Sequence, residues 1–76
     1  MSLAFDETIL MDCLEQAGVR GLTTQLVIHK ARMRGILWSN APVRERLARL
    51  KREGVLIHRL GYYRLAKYER VKDFIR

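Results

Sequence analysis

The stretch Ser39-Asn-Ala-Pro-Val-Arg-Glu-Arg-Leu-Ala-Arg-Leu-Lys-Arg-Glu-Gly54 decides how the rest of the chain is read. It carries the start signal, stop signal and period of one amphipathic helix over about residues 39–53. Ser39 or Asn40 offers a short side-chain oxygen to an orphan N–H at the helix start. Pro42 then falls in the first turn, where a missing N–H costs little. Gly54 suits the left-handed residue that closes a helix. Val43, Leu47 and Leu50 stand at i, i+4 and i+7 and make one apolar stripe. Opposite the stripe lie Ala41, Glu45, Ala48, Arg49 and Arg52, and Arg44 and Lys51 flank it. A thin core stripe beneath this much positive charge predicts a helix whose outer face meets something acidic.

Downstream of Gly54 the period falls from 3.6 to 2, the change from helix to strand. Val55-Leu56-Ile57-His58-Arg59 and Tyr62-Tyr63-Arg64-Leu65 are both rich in strand formers, with Leu60-Gly61 as a two-residue turn between them. Such a turn pairs Arg59 with Tyr62, His58 with Tyr63, Ile57 with Arg64 and Leu56 with Leu65. One face of the hairpin then holds Leu56, His58, Tyr63 and Leu65 and is expected to meet the core. The other holds Ile57, Arg59, Tyr62 and Arg64, a set suited to a phosphate backbone. The final segment, Ala66 to Arg76, predicts a short helix with Tyr68, Val71, Phe74 and Ile75 apolar, available to close the core or to meet a second copy.

Upstream, Asp6 caps a first helix over about Glu7–Ala17, with Glu7 at the positive end of the helix dipole. Ile9, Leu10, Cys13, Leu14 and Ala17 share one face, and Gly18 ends the helix. Cys13 in that stripe reads as a small buried hydrophobe rather than a reactive thiol. Val19–Leu22 is extended and can add a brief edge strand. Thr23 caps a second helix from Thr24 to about Arg32, and Leu22 with Val27 forms a hydrophobic staple across the cap. Gln25, His29 and Lys30 occupy its polar side. Gly35 allows a tight bend before the basic helix, with Ile36 and Leu37 expected in the core. Trp38 has two readings, packing over the helix junction or stacking on a ligand.

Seventy-six residues make a single domain, with a formal charge of +7 and 49% apolar content. At this size folding buries only about 60% of the unfolded chain's surface, so the stability margin is small. The sequence pI is near 10.3, which predicts attraction to a polyanion, nucleic acid before an anionic membrane. Residues 1–22 carry a net of −3, residues 23–66 a net of +8 and residues 67–76 a net of +2. The positive field therefore belongs to the middle of the chain. A lone cysteine makes no internal disulfide, which favours the cytoplasm. There is no apolar run of membrane-spanning length and no signal-peptide layout at the N-terminus.

The order of three helices, a short extended piece and a two-stranded hairpin resembles the winged helix-turn-helix family of DNA-binding domains, an α+β fold. The likeness is carried by Val43, Leu47 and Leu50 leading into Gly54-Val55-Leu56, followed by Tyr63-Arg64-Leu65. It covers about residues 6–66, with a wing over about 55–65. The small size is similar to stand-alone transcription regulators of prokaryotic, plasmid and viral genomes. The resemblance implies that residues 39–52 enter the major groove of double-stranded DNA, where arginine and asparagine read guanine and adenine edges. Asn40, Arg44, Glu45 and Arg49 become the base-reading candidates. Glu45 either accepts from cytosine or pairs within the helix with Arg49, a pair worth about 0.2–0.5 kcal/mol. Thr24, Lys30, Arg34, Arg52, Arg59, Tyr62 and Arg64 become the candidate phosphate contacts, with the N-terminus of the second helix adding its N–H groups. Each arginine alone reads as a solvated surface charge; their shared location makes the case.

The implied function is a sequence-preferring regulator, with repression, including of its own promoter, the natural form. A homodimer, if one forms, is expected on DNA through the C-terminal segment. No enzyme chemistry is expected: His29 and His58 lie on different elements without a carboxylate at ligand-like spacing. A metal site from Cys13, His29 and His58 would need three distant elements to converge, and the five glycines form no phosphate loop. No cofactor, small-molecule ligand or membrane partner is expected. The rival is a winged-helix module that binds RNA or a protein, since fold alone does not set function.

Overall fold

The computed structural model describes residues 6–68. Helix α1 (Glu7–Ala17) starts where Asp6 accepts a bond from the Thr8 N–H at 2.9 Å. It ends where the Gly18 N–H reaches the Leu14 and Glu15 carbonyls. Leu10, Cys13 and Leu14 are buried along one side of it. The segment that follows is shorter than a strand. Leu22 alone pairs with the hairpin: its N–H donates to the Tyr63 carbonyl at 2.8 Å and its carbonyl accepts from the Tyr63 N–H at 2.7 Å. The approach is close enough to demand glycine next door. Gly21 has φ +77°, and a Cβ there would stand 2.5 Å from the Tyr63 carbonyl oxygen.

Helix α2 (Thr24–Met33) is capped by Thr23, whose Oγ1 accepts from the Leu26 N–H at 3.1 Å. Leu22 and Val27, on either side of that cap, are both buried in the core. The helix closes with two reversed bonds, Gly35 N–H to the Arg32 carbonyl and Ile36 N–H to the Ala31 carbonyl. Beyond it the expectation for Leu37 fails: Ile36 packs against the core and Trp38 is 8% exposed, but Leu37 between them is 77% exposed. Burial alternates because side chains in an extended segment point to opposite sides in turn. The burial of Trp38 selects its packing reading over the stacking one.

Helix α3 (Asn40–Arg52) buries Val43, Leu47 and Leu50, the three residues of the apolar stripe. Its start departs from expectation. Ser39 occupies the cap position with extended backbone, yet its side chain makes no capping bond. An N-cap oxygen normally bonds the second or third helical N–H, and the third residue here is Pro42, which has none. At the other end Gly54, φ +83°, donates to the Lys51 carbonyl and Val55 to that of Leu50. Val55 thereby turns back onto the core and launches the hairpin.

Strands β1 (Leu56–Arg59) and β2 (Tyr62–Leu65) pair antiparallel in the expected register, Leu56 with Leu65 through Arg59 with Tyr62. Leu56 and Leu65 are buried at its base. Beyond that base the face divides: Tyr63 is half-buried against the core, while His58, stacked on it with ring centroids 4.0 Å apart, is exposed. A 3₁₀ turn, Ala66–Tyr68, follows β2. The rest of the helix expected over residues 66–76 lies outside the described residues. The layout is α+β, three helices and a hairpin wing, that of a winged helix. Contacts run α1 to α2, α2 to α3, α3 to β1 and α1 to β2, around one core.

Candidate nucleic-acid interface

The outer face of α3 is free of packing because its inner stripe takes all the burial. Asn40, Ala41, Pro42, Arg44, Glu45, Arg49, Lys51 and Arg52 are exposed. Glu45, Arg49 and Arg52 line a shallow depression together with Pro42 and Arg46. The intrahelical partner of Arg49 is Glu53, not Glu45: Nε donates to Oε2 at 3.2 Å. Both spacings are i, i+4, so sequence alone does not separate them. The observed order, with the acid nearer the C-terminus, is the weaker one in a helix dipole. The two side chains are 57% and 50% exposed, and a pair in that setting contributes at most about 0.3–0.5 kcal/mol. Arg49 can leave Glu53 for a ligand at small cost. Among the described residues Glu45 has no ion-pair partner.

The candidate phosphate contacts divide. Arg59 and Tyr62 face each other in the last pair before the wing turn and are exposed. Arg52 ends α3 and Thr24 begins α2, as expected. Lys30 stands apart from the α3 depression. It lines a second one with Gln16, Ala17, Arg20, Gly21, Leu22 and Leu26. Arg20, exposed in the loop after α1, is the cation that sequence reasoning missed there. Nothing in its own sequence neighbourhood marks it, since the depression is lined from α1, the loop after it and α2 together.

Two expected contacts have intramolecular partners in the free protein. Arg34 donates through Nη2 to Asp12 Oδ2 of α1 at 2.6 Å. That bond raises the guanidinium pKa and turns the side chain toward α1. Arg64 is half-buried and donates through Nη1 to the Val19 carbonyl at 3.1 Å, so it fastens β2 to the loop after α1.

The carboxylates of α1 are consumed the same way. Glu7 accepts from Arg46 Nη1 at 2.5 Å. Glu15 accepts from Lys67 Nζ at 2.5 Å and from the Tyr68 hydroxyl at 2.9 Å. The Lys67 bond, then the Tyr68 bond, pulls the Glu15 carboxyl below its ordinary range. The Glu15 bond in turn raises both Lys67 and Tyr68. Among the described residues Lys30, Arg44, Lys51 and Arg52 have no such acidic partner. The net effect is an acidic helix neutralised by its neighbours and a basic outer face on α3.

Cys13 is buried, and desolvation is the main cause raising its thiol pKa. It packs as a hydrophobe, as expected. Among the described residues no group of three or more His, Cys, Asp or Glu side chains is placed to hold a metal ion. No helix among them is long and apolar enough to cross a membrane. No protein-family model, curated protein or solved structure matches the chain.

Proposed function

We propose that the protein is a sequence-specific double-stranded DNA-binding regulator of transcription, acting most simply as a repressor. The observation that carries this is the outer face of α3: Asn40, Arg44, Glu45, Arg49 and Arg52 exposed above a fully buried stripe. An α-helix fits the major groove, where such side chains pair with base edges. Glu45 supports sequence preference in particular. A carboxylate without an intramolecular cation would be a liability against phosphates alone and is useful where it accepts from cytosine. The wing holds register on the backbone through Arg59 and Tyr62, with Arg64 bracing β2 behind them. Arg34 bonds Asp12 of α1 in the free protein and would exchange that surface pair for phosphate, as Arg49 would leave its own for a base edge.

The test is fluorescence anisotropy with labelled probes: a duplex enriched by the protein from a random pool, a scrambled duplex and an RNA hairpin, each at several salt concentrations. Trp38 is too deeply packed to report ligand directly and serves instead as a probe of folding. Binding to the enriched duplex that outlasts the scrambled one as salt rises supports the reading. Equal affinity for all three probes reduces it to a general nucleic-acid coat, and preference for the hairpin transfers it to RNA. No binding at low salt overturns it in favour of a protein partner.

A further inference from the structure

The apex of the wing is built against its own stability. A two-residue hairpin turn with both central residues at positive φ favours Asn-Gly or Asp-Gly, since asparagine, aspartate and glycine tolerate the left-handed region. Here the first position is Leu60, at φ +52°, followed by Gly61 at φ +85°. Among the described residues Leu60 is the one non-glycine with positive φ, and it is 99% exposed. A branched apolar side chain in that place strains the turn and gains nothing from packing in the free protein. Strain and full exposure at one residue point to a contact made outside the chain.

The position of Leu60 indicates what that contact is. Arg59 and Tyr62 flank it in the adjoining strand pair, and both are exposed. A cation and a phenol on either side of an apolar tip suit a partner with a phosphate rim and an apolar interior. The hairpin begins directly after α3, and its four-residue strands extend about 13 Å at roughly 3.3 Å per residue. That reach suffices for the apex to leave the major groove occupied by α3 and meet the neighbouring groove. Apolar side chains such as leucine, inserted from the minor groove, pry adjacent base pairs apart and kink the duplex.

Resting on the DNA-binding reading above, we propose that Leu60 is a wedge that enters a base step beside the major-groove site and bends the DNA. The wing itself is too short to fill the groove; one side chain makes the insertion. The base step it favours is a flexible pyrimidine–purine step, which unstacks most easily.

The variant Leu60→Asn tests this without harming the fold, because Asn-Gly is the better turn. The probe is the duplex enriched from a random pool, labelled at its ends for energy transfer and mapped with permanganate, which reacts with unstacked thymines. The wild-type protein should shorten the end-to-end distance and expose a reactive step at one edge of the protected segment. Leu60→Asn should melt at the same or a higher temperature, lose the bend and the reactive step, and bind roughly tenfold more weakly. Leu60→Met, still an apolar wedge, should keep both signatures. If Leu60→Asn bends and unstacks the duplex like the wild type, the wedge is wrong while DNA binding stands. If its only effect is to abolish cooperative binding of a second copy, Leu60 is a protein contact and the wedge is equally wrong. If the wild type binds no duplex, the DNA-binding reading itself fails.

Discussion

Arg49 and Arg64 carry the same charge, and the structure gives them different partners. Arg49 is held only by an exposed carboxylate one helical turn away, so on the proposed reading it would be released to a base edge at small cost. Arg49→Ala should cost about 1–3 kcal/mol at the preferred duplex and relax preference at one base position, while leaving the melting temperature almost unchanged. Arg64 bonds a backbone carbonyl across the domain. Arg64→Ala should weaken all duplexes about equally and also lower the unfolding free energy by about 1 kcal/mol, read as a lower urea midpoint. Identical effects of both substitutions across sequences would remove the distinction. Which residues would be exposed on α3 was legible in advance, because a 3.6-residue period sorts inside from outside. Which cation each acid would choose was not. Asp12 and Arg34 are 22 positions apart and Glu15 and Lys67 are 52 apart; neither pairing has a local signal. The exposure of Leu37 has a related cause: apolar composition says nothing about which way an extended segment faces.

Among the elements, the hairpin register followed from turn length alone, the starts of α1 and α2 from their caps, and the ends of α1 and α3 from the glycines that follow them. The single bridge from Leu22 to Tyr63 was foreseen only as a brief edge strand, although it decides how the wing is joined to the helices. Gly21→Ala should therefore be more damaging than its loop position suggests. A left-handed alanine costs about 1–2 kcal/mol before any clash is counted, and the added Cβ would press on the Tyr63 carbonyl. Chemical denaturation should show at least that loss, and hydrogen exchange should show the Leu22 and Tyr63 amides losing protection first. The turn after β2 makes a second joint, through Glu15, Lys67 and Tyr68. The Glu15 carboxyl is lowered in the folded state, so its contribution is present above the ordinary carboxylate range and is lost as pH falls through the lowered value. Lys67 and Tyr68 are raised, so theirs is complete below their ordinary values and is lost as pH rises through the raised ones. The joint should hold across the neutral range and open at both extremes, followed by the Tyr68 ring resonances. In Lys67→Met, carboxyl NMR should find Glu15 titrating at higher pH than in the wild type.

For the molecule as a whole, the excess of positive charge predicts binding that weakens steeply with salt. If about six phosphates are neutralised by Lys30, Arg44, Arg52, Arg59 and their neighbours, the logarithm of the binding constant should fall with the logarithm of salt at a slope near −5. Removing one phosphate contact, as in Arg52→Ala, should flatten that slope by about one unit. A slope unchanged by Arg52→Ala would place this residue outside the contact. The disposition of charge matters as much as its amount. Three carboxylates of α1 are each held by a cation from a different region of the chain, whereas among the described residues Arg44, Lys51 and Arg52 of α3 have no acidic partner. The charge left over is therefore unevenly placed, with exposed cations gathered on the outer face of α3. In the field of a polyanion such a body experiences a torque as well as an attraction. Within about a Debye length, ~10 Å at 0.1 M salt, that torque would turn it face-on, so encounters with a polyanion would begin in one orientation and associate faster than for an evenly charged protein of the same net charge.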